Sequence, residues 1–166
     1  MAKYKQRISD RILKRKVLGK GAVLIEGPKW CGKTTTAKQL AKSVLDLGDS
    51  SVLKQSAQLI ELSPKTLLEG KTPRLIDEWQ ALPLIWDSVR SEVDKRGEPS
   101  QFILTGSSVL PEADETIHSG TGRFAYIKMR PMSLYESGES NGTVSLTDLF
   151  EGKPFDTQSN DLTIDD

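Results

Sequence analysis

The stretch GPKWCGKTTT, at positions 27–36, constrains the fold of this chain more than any other. It follows AVLIE at 22–26, a short apolar and β-branched run bounded by glycines, which reads as a buried strand. Gly27, Pro28, Lys29, Trp30, Cys31, Gly32, Lys33 and Thr34 fit the pattern G-x-x-x-x-G-K-[ST] without a mismatch, and Thr35 continues the stretch. Each fixed position has a chemical reason. The glycines let backbone N–H groups converge on phosphate oxygens, and the helix that follows adds a favourable dipole. Lys33 reaches the terminal phosphates of a nucleotide as a point charge, and the Thr34 hydroxyl can ligate Mg²⁺. With glycine near 7% of residues, accidental matches in a chain this long are on the order of 1%.

Two further apolar runs end in residues that suit the same chemistry. RLID at 74–77 closes on Asp77 with Glu78 directly behind it. A phosphate loop needs a carboxylate at the end of a neighbouring strand to hold Mg²⁺, usually through water, and Asp77 is placed for that. Glu78 can orient and deprotonate a water aimed at a γ-phosphate, so the adjacency points to hydrolysis. FILTGSS at 102–108 ends in hydroxyls. Thr105, Ser107 or Ser108 can position the attacking water or report the γ-phosphate; ordinary turn chemistry accounts for the same residues, and the sequence does not choose among the three.

Between these runs the pattern alternates. Helices are expected over residues 5–16, with Ile8, Ile12 and Leu13 on one face, and over 34–42, 50–62, 64–69 and 82–95. Ser63-Pro64 is a helix start with a capping serine, and Gly70 is a stop. Residues 44–47 read either as a strand or as the end of the preceding helix. A further strand is expected over 124–129 and a short helix over 132–136. Apolar strands alternating with helices imply an α/β fold with a parallel sheet covered on both faces, whose ligands bind at the carboxyl ends of the strands. Three segments follow: a basic helix at 1–20, a core at 21–136, and a polar, flexible tail at 137–166 that is poor in apolar anchors.

Net charge is formally zero, which removes a global argument for nucleic acid or membrane surfaces. The charge is uneven, however. The first twenty residues carry eight Lys or Arg against Asp10 alone, either a solvated helix face or an arm for DNA. Cys31 is the only cysteine, so an intramolecular disulfide and a cysteine zinc site are excluded, and a reducing, cytoplasmic setting is expected. No run reaches the length of a membrane span, and the first residues lack an apolar signal core. Trp79 and Trp86 read as core, and His118 as a surface residue.

Taken in order, GPKWCGKTTT, LIDEWQ, FILTGSS and GRFAYIKMRPMSLYE resemble the core of the AAA-type ATPases, in particular a subgroup of poorly characterised prokaryotic ATP-binding proteins. The resemblance spans residues 5–136. It implies a P-loop NTPase fold, an αβα sandwich, with Lys33 and Thr34 on phosphates and Mg²⁺, Asp77 on Mg²⁺, Glu78 as base, and the 105–108 segment as sensor. It also implies Arg123 as a charge stabiliser, supplied in cis or to a neighbouring subunit of a homo-oligomer, with Arg130 as a weaker second choice. A surface arginine paired with Glu112, Asp114 or Glu115 would look the same. Members of that family usually continue into a large second domain, whereas here a polar tail follows. The activity expected is Mg-dependent ATP hydrolysis with an unknown target. The alternatives are a nucleotide-gated binding module, for DNA through the basic helix, and a small-molecule phosphotransferase, which would need an acceptor pocket and an arginine-rich lid.

Overall fold

The computed structural model describes residues 4–107 and 122–154. Its larger unit covers Ile8–Pro131. In chain order it contains α1 (Ile8–Gly19), β1 (Ala22–Glu26), α2 (Lys33–Lys38), β2 (Ser43–Asp46), α3 (Ser50–Leu62) and α4 (Pro64–Leu68). β3 (Arg74–Asp77), a single 3₁₀ turn (Trp79–Ala81), α5 (Ile85–Arg96), β4 (Phe102–Gly106) and β5 (Phe124–Lys128) complete it. The strands form one parallel sheet in the order β2-β3-β4-β1-β5.

The side-chain period of two divides the core between the two faces of this sheet. Val23, Ile25, Leu75, Ile103 and Ile127 share one buried cluster with Leu13 and Val17 of α1 and Ala37 of α2. Ala22, Leu24, Ile76, Phe102, Leu104 and Phe124 share the other with Ile60 of α3, Leu67 of α4, and Trp86 and Val89 of α5. Every residue of β4 and the first four of β1 are buried, as strands covered on both faces must be. The result is the expected α/β sandwich. Trp86 anchors one side of it, its ring 5.1 Å from that of Trp79 and stacked 4.2 Å from that of Phe124.

The order of strands also locates a crevice. The chain leaves β1 for β2 at one edge of the sheet, and leaves β4 for β5 on the other side of β1. Connections therefore diverge between the carboxyl ends of β1 and β4, the place where such sheets hold ligands.

Several boundaries differ from the sequence expectation. The first helix runs over Ile8–Gly19 rather than 5–16, so that Leu13 and Val17, one turn apart, face the sheet while Ile8 is 56% exposed. α2 stops at Lys38, well short of 42. Three consecutive threonines give it weak helical support, and Lys42 N–H donates to Pro73 O at 2.8 Å, drawing the chain into β2. That decides the 44–47 ambiguity in favour of a strand, which ends at Asp46. α3 is capped by Asp49, whose carboxylate accepts from the Ser51 and Val52 amides at 2.7 and 3.3 Å. Ser63 begins α4 without a side-chain cap; its hydroxyl meets that of Thr66 at 3.0 Å.

A smaller unit joins Met1–Arg7 to Met132–Asp166. Within it α6 (Leu134–Ser137) opens with a capping box, Ser133 and Glu136 each bonding the other's backbone N–H. The second oxygen of Glu136 accepts from Arg7 at 3.1 Å, and both side chains are buried. The segment expected as a polar, flexible tail contains a further short helix, α7 (Leu146–Phe150), which has no buried residue.

Candidate functional site

β1 delivers the chain into the glycine loop with backbone geometry that few residues tolerate. Trp30 has φ 62° and Gly32 φ 97°, both in the left-handed region. At Gly27 the constraint is steric, because a Cβ there would lie 2.2 Å from the carbonyl oxygen of Met129. The loop then turns into α2, whose first bond runs from Thr36 N–H to Gly32 O at 2.9 Å. Lys33 is buried, and its ammonium donates to the carbonyls of Gly27 and Pro28 at 3.0 and 2.8 Å. The loop carbonyls thus hold the lysine over the loop's own concave backbone.

Asp77 ends β3 in register with Thr105 of β4. One oxygen of its buried carboxylate accepts from the Thr34 hydroxyl at 2.8 Å and from the Thr105 hydroxyl as well. Two of the residues that the sequence places on Mg²⁺, forty-three positions apart, therefore touch. Glu78 follows in left-handed conformation, φ 54° and ψ 47°, and one of its carboxylate oxygens accepts from the Gln80 side-chain amide. That amide also lies 3.5 Å from the Ser107 hydroxyl.

Lys29, Trp30, Gly32, Lys33, Thr34, Thr35 and Glu78 line one cleft of about 450 Å³, within the ordinary range for small-molecule sites. Pro28 stands exposed at the loop, and Trp30 is 99% exposed at its tip. Cys31 points inward instead; its buried thiol lies 3.9 Å from Met129 O. At the base of the loop, Glu26 has its pKa pushed above the ordinary glutamate value, first by burial, with Lys128 pulling the other way.

The residues fit a nucleotide phosphate with Mg²⁺. Gly27 lets the loop pack against Met129 where a Cβ would collide, Lys33 supplies the charge, and the Thr34 and Asp77 oxygens converge as hard donors. Among the described residues no three His, Cys, Asp or Glu side chains gather into an alternative metal cage.

Arg123 is placed elsewhere. It precedes β5 at the amino end of the sheet, where it pairs with Asp94 at 2.6 Å, both side chains partly exposed. The strands are five residues long, so roughly 16 Å separates that end from the loop. Arg123 is thus outside the cleft of its own chain, and its acid is one that the sequence reading did not consider. Ser108, Glu112, Asp114, Glu115 and His118 lie outside the described residues. Trp79 and Trp86 are core residues, as expected, Trp79 on the 3₁₀ turn and Trp86 on α5. Two features escaped the sequence reading. Gln80 follows the acids in LIDEWQ, a signal available only to a reader who expects the chain to turn back there; and Thr105, one of three hydroxyls left open as a sensor, donates to Asp77.

The chain is 27% identical over 120 residues to uncharacterized proteins of Mycobacterium bovis and Mycobacterium tuberculosis, an alignment covering 71% of this chain and 27% of each relative. It therefore spans only about a quarter of the length of those relatives. Among solved structures, C. elegans PCH-2 superposes with a TM-score of 0.43 and 16% identity, over 86% of this chain and 45% of that one. A family model described as an AAA domain matches residues 19–138, well over half of the chain, from the end of α1 through α6. The chain belongs to the AAA domain family, and is a nucleotide-binding module of ATPase type.

Proposed function

We propose that this chain binds Mg·ATP in the cleft between the glycine loop and β3 and hydrolyses it, with Glu78 as the base. The observation that carries the reading is the 2.8 Å contact between Thr34 and Asp77, which brings the loop's hydroxyl and the strand's carboxylate to one point. When bound there, Mg²⁺ would neutralise charge on the β- and γ-phosphates. Lys33 exchanges its two loop carbonyls for phosphate oxygens, a charge-assisted contact that replaces neutral ones. Thr34 and Asp77 would hold the metal, and Thr105 holds Asp77 in place from β4. Glu78 lines the cleft and takes the proton of the attacking water. Ser107, just after β4, meets the Gln80 amide at 3.5 Å and serves as the sensor.

Arg123 cannot reach this cleft from its own chain, so a charge-stabilising role requires a second copy, with hydrolysis faster in the assembled homo-oligomer. Mixing a Lys33→Ala chain with an Arg123→Ala chain tests that: complementation supports a shared site, and its absence removes the role. The base is tested by phosphate release. Glu78→Gln should cut turnover to a slow residual rate while ATP still binds. Phosphate appearing only on an added metabolite would instead establish a phosphotransferase.

A second reading rests on α1, where Arg11, Lys14 and Arg15 are exposed on one side. In a DNA-binding module these charges would give duplex binding that weakens steeply with salt. Replacing all three with glutamine should then abolish DNA binding without changing ATP affinity. If wild type binds no duplex at low salt, this reading fails.

A further inference from the structure

We propose that Gln80 is a positioning residue for the base: its amide holds one oxygen of Glu78 so that the other is presented to the water in the cleft. This rests on the hydrolysis reading above, and it begins with the local backbone. Glu78 adopts a left-handed conformation, and the 3₁₀ turn behind it closes with Ala81 N–H donating to Glu78 O at 2.9 Å. A non-glycine residue in that conformation is strained, and such strain persists where surrounding structure fixes it. Trp79 fixes it here, because its side chain is 1% exposed and belongs to the core cluster beneath the sheet. The turn folds Gln80 back beside the residue two positions before it, and the Gln80 amide nitrogen donates to Glu78 Oε2.

Charge decides which way the amide faces. With its oxygen towards Glu78, lone pairs would meet a carboxylate; with nitrogen there, a hydrogen bond forms. The consequence is that Gln80 Oε1 turns inward, where it is buried without a hydrogen-bond partner, and the Trp79 indole N–H beside it is in the same position. Buried polar groups are rarely left so, and each exception calls for an explanation. An unpaired carbonyl is tolerated at Gln80 because the other end of the same amide is engaged by the carboxylate. Gly106, the last residue of β4, provides the space: a Cβ there would lie 2.7 Å from Gln80 Oε1 and 2.8 Å from Trp79 Nε1.

The same nitrogen lies 3.5 Å from Ser107 Oγ, a long contact in which the serine accepts and keeps its own proton to donate. The hydroxyls of the 105–108 segment thereby divide their work. Thr105 serves Asp77, and Ser107 sits on the Gln80 side. The order of support runs from the buried Trp79, through the turn, to the amide and then to the carboxylate that faces the cleft.

The test is single-turnover ATP hydrolysis at high enzyme concentration, with ATP affinity measured in parallel. The full chain is compared as wild type, Gln80→Met, Gln80→Glu, Glu78→Gln and the double variant Glu78→Gln with Gln80→Met. Methionine and glutamate both preserve the length of the side chain, so one folded variant suffices, as judged by its melting curve. Gln80→Met and Gln80→Glu should each slow hydrolysis by about tenfold or more, with the Kd for Mg·ATP within about twofold of wild type. In the Glu78→Gln background, Gln80→Met should cause no further loss, since Gln80 acts through Glu78 alone. An equal loss in both backgrounds would show a merely structural residue and overturn the proposal. So would an unchanged or raised rate in Gln80→Met while Glu78→Gln falls to its slow residual rate, and in that case the base survives and its positioning does not. Wild-type turnover that is indifferent to Glu78→Gln, or absent, removes the base and the proposal with it.

Discussion

Replacing Thr105 with valine removes one hydroxyl and keeps the shape of the side chain. The site is demanding, because Thr105 is fully buried in the central strand β4 and its hydroxyl donates to Asp77, which is itself 5% exposed. A hydrogen bond to a charged group contributes about 1.5–3 kcal/mol, and the methyl that takes its place returns up to about 0.8 kcal/mol through burial. The expected net loss is roughly 1–2 kcal/mol, or about 3–6 °C in Tm for a chain of this size. A second effect follows from the shared oxygen. With Thr34 as its remaining hydroxyl partner, the carboxylate is less well held, so ATP affinity in the presence of Mg²⁺ should fall while affinity without the metal stays the same. Thermal melts and calorimetric titrations with and without Mg²⁺ measure both. A Thr105→Val chain that melts with wild type and keeps its Mg²⁺ dependence would refute the claim that β4 holds Asp77 in place.

Gly27→Ala should cost about 1–3 kcal/mol by overpacking and abolish ATP binding, because the new Cβ collides with the Met129 carbonyl and must move the loop; a melting curve and a binding isotherm check it. Glu26→Gln carries a pH signature. Burial raises the folded pKa of Glu26 above its ordinary value of 4.5, so the folded state binds the extra proton and stability falls as pH rises through that window. The amide variant should therefore be more stable than wild type at neutral pH, with the gain vanishing below about pH 4.5; urea midpoints across pH would show it. Trp86→Ala removes a fully buried ring stacked on Phe124, and a loss of about 3–5 kcal/mol is expected by urea denaturation.

The sheet was readable because each buried strand is an apolar run bounded by glycine, proline or acids, and because fixed spacing in the loop demands a strand before and a helix after. Asp77 and Glu78 were readable for the same reason, as acids ending such a run. The remainder depends on contacts far apart in the chain. Nothing near Thr105 announces that register will set it against Asp77. Arg123 looked like a site residue from its Gly-Arg neighbourhood, yet it stands at the amino end of its strand, and a parallel sheet sends that end away from the loop. Helix ends were misjudged where packing outweighs propensity, as in α1, whose register follows Leu13 and Val17 onto the sheet. Arg7 counted as one of a basic series and proves to be the buried partner of Glu136.

The central claim is that the glycine loop and Asp77 together form a Mg·ATP site, and equilibrium binding tests it most directly. Calorimetry with the full chain should show one ATP per chain, bound more tightly with Mg²⁺ than without. Lys33→Ala forfeits a charge-assisted contact of about 1.5–3 kcal/mol and should weaken that binding by about 10- to 150-fold. A folded wild-type chain that binds no ATP, or a Lys33→Ala chain that binds it equally well, would contradict the account.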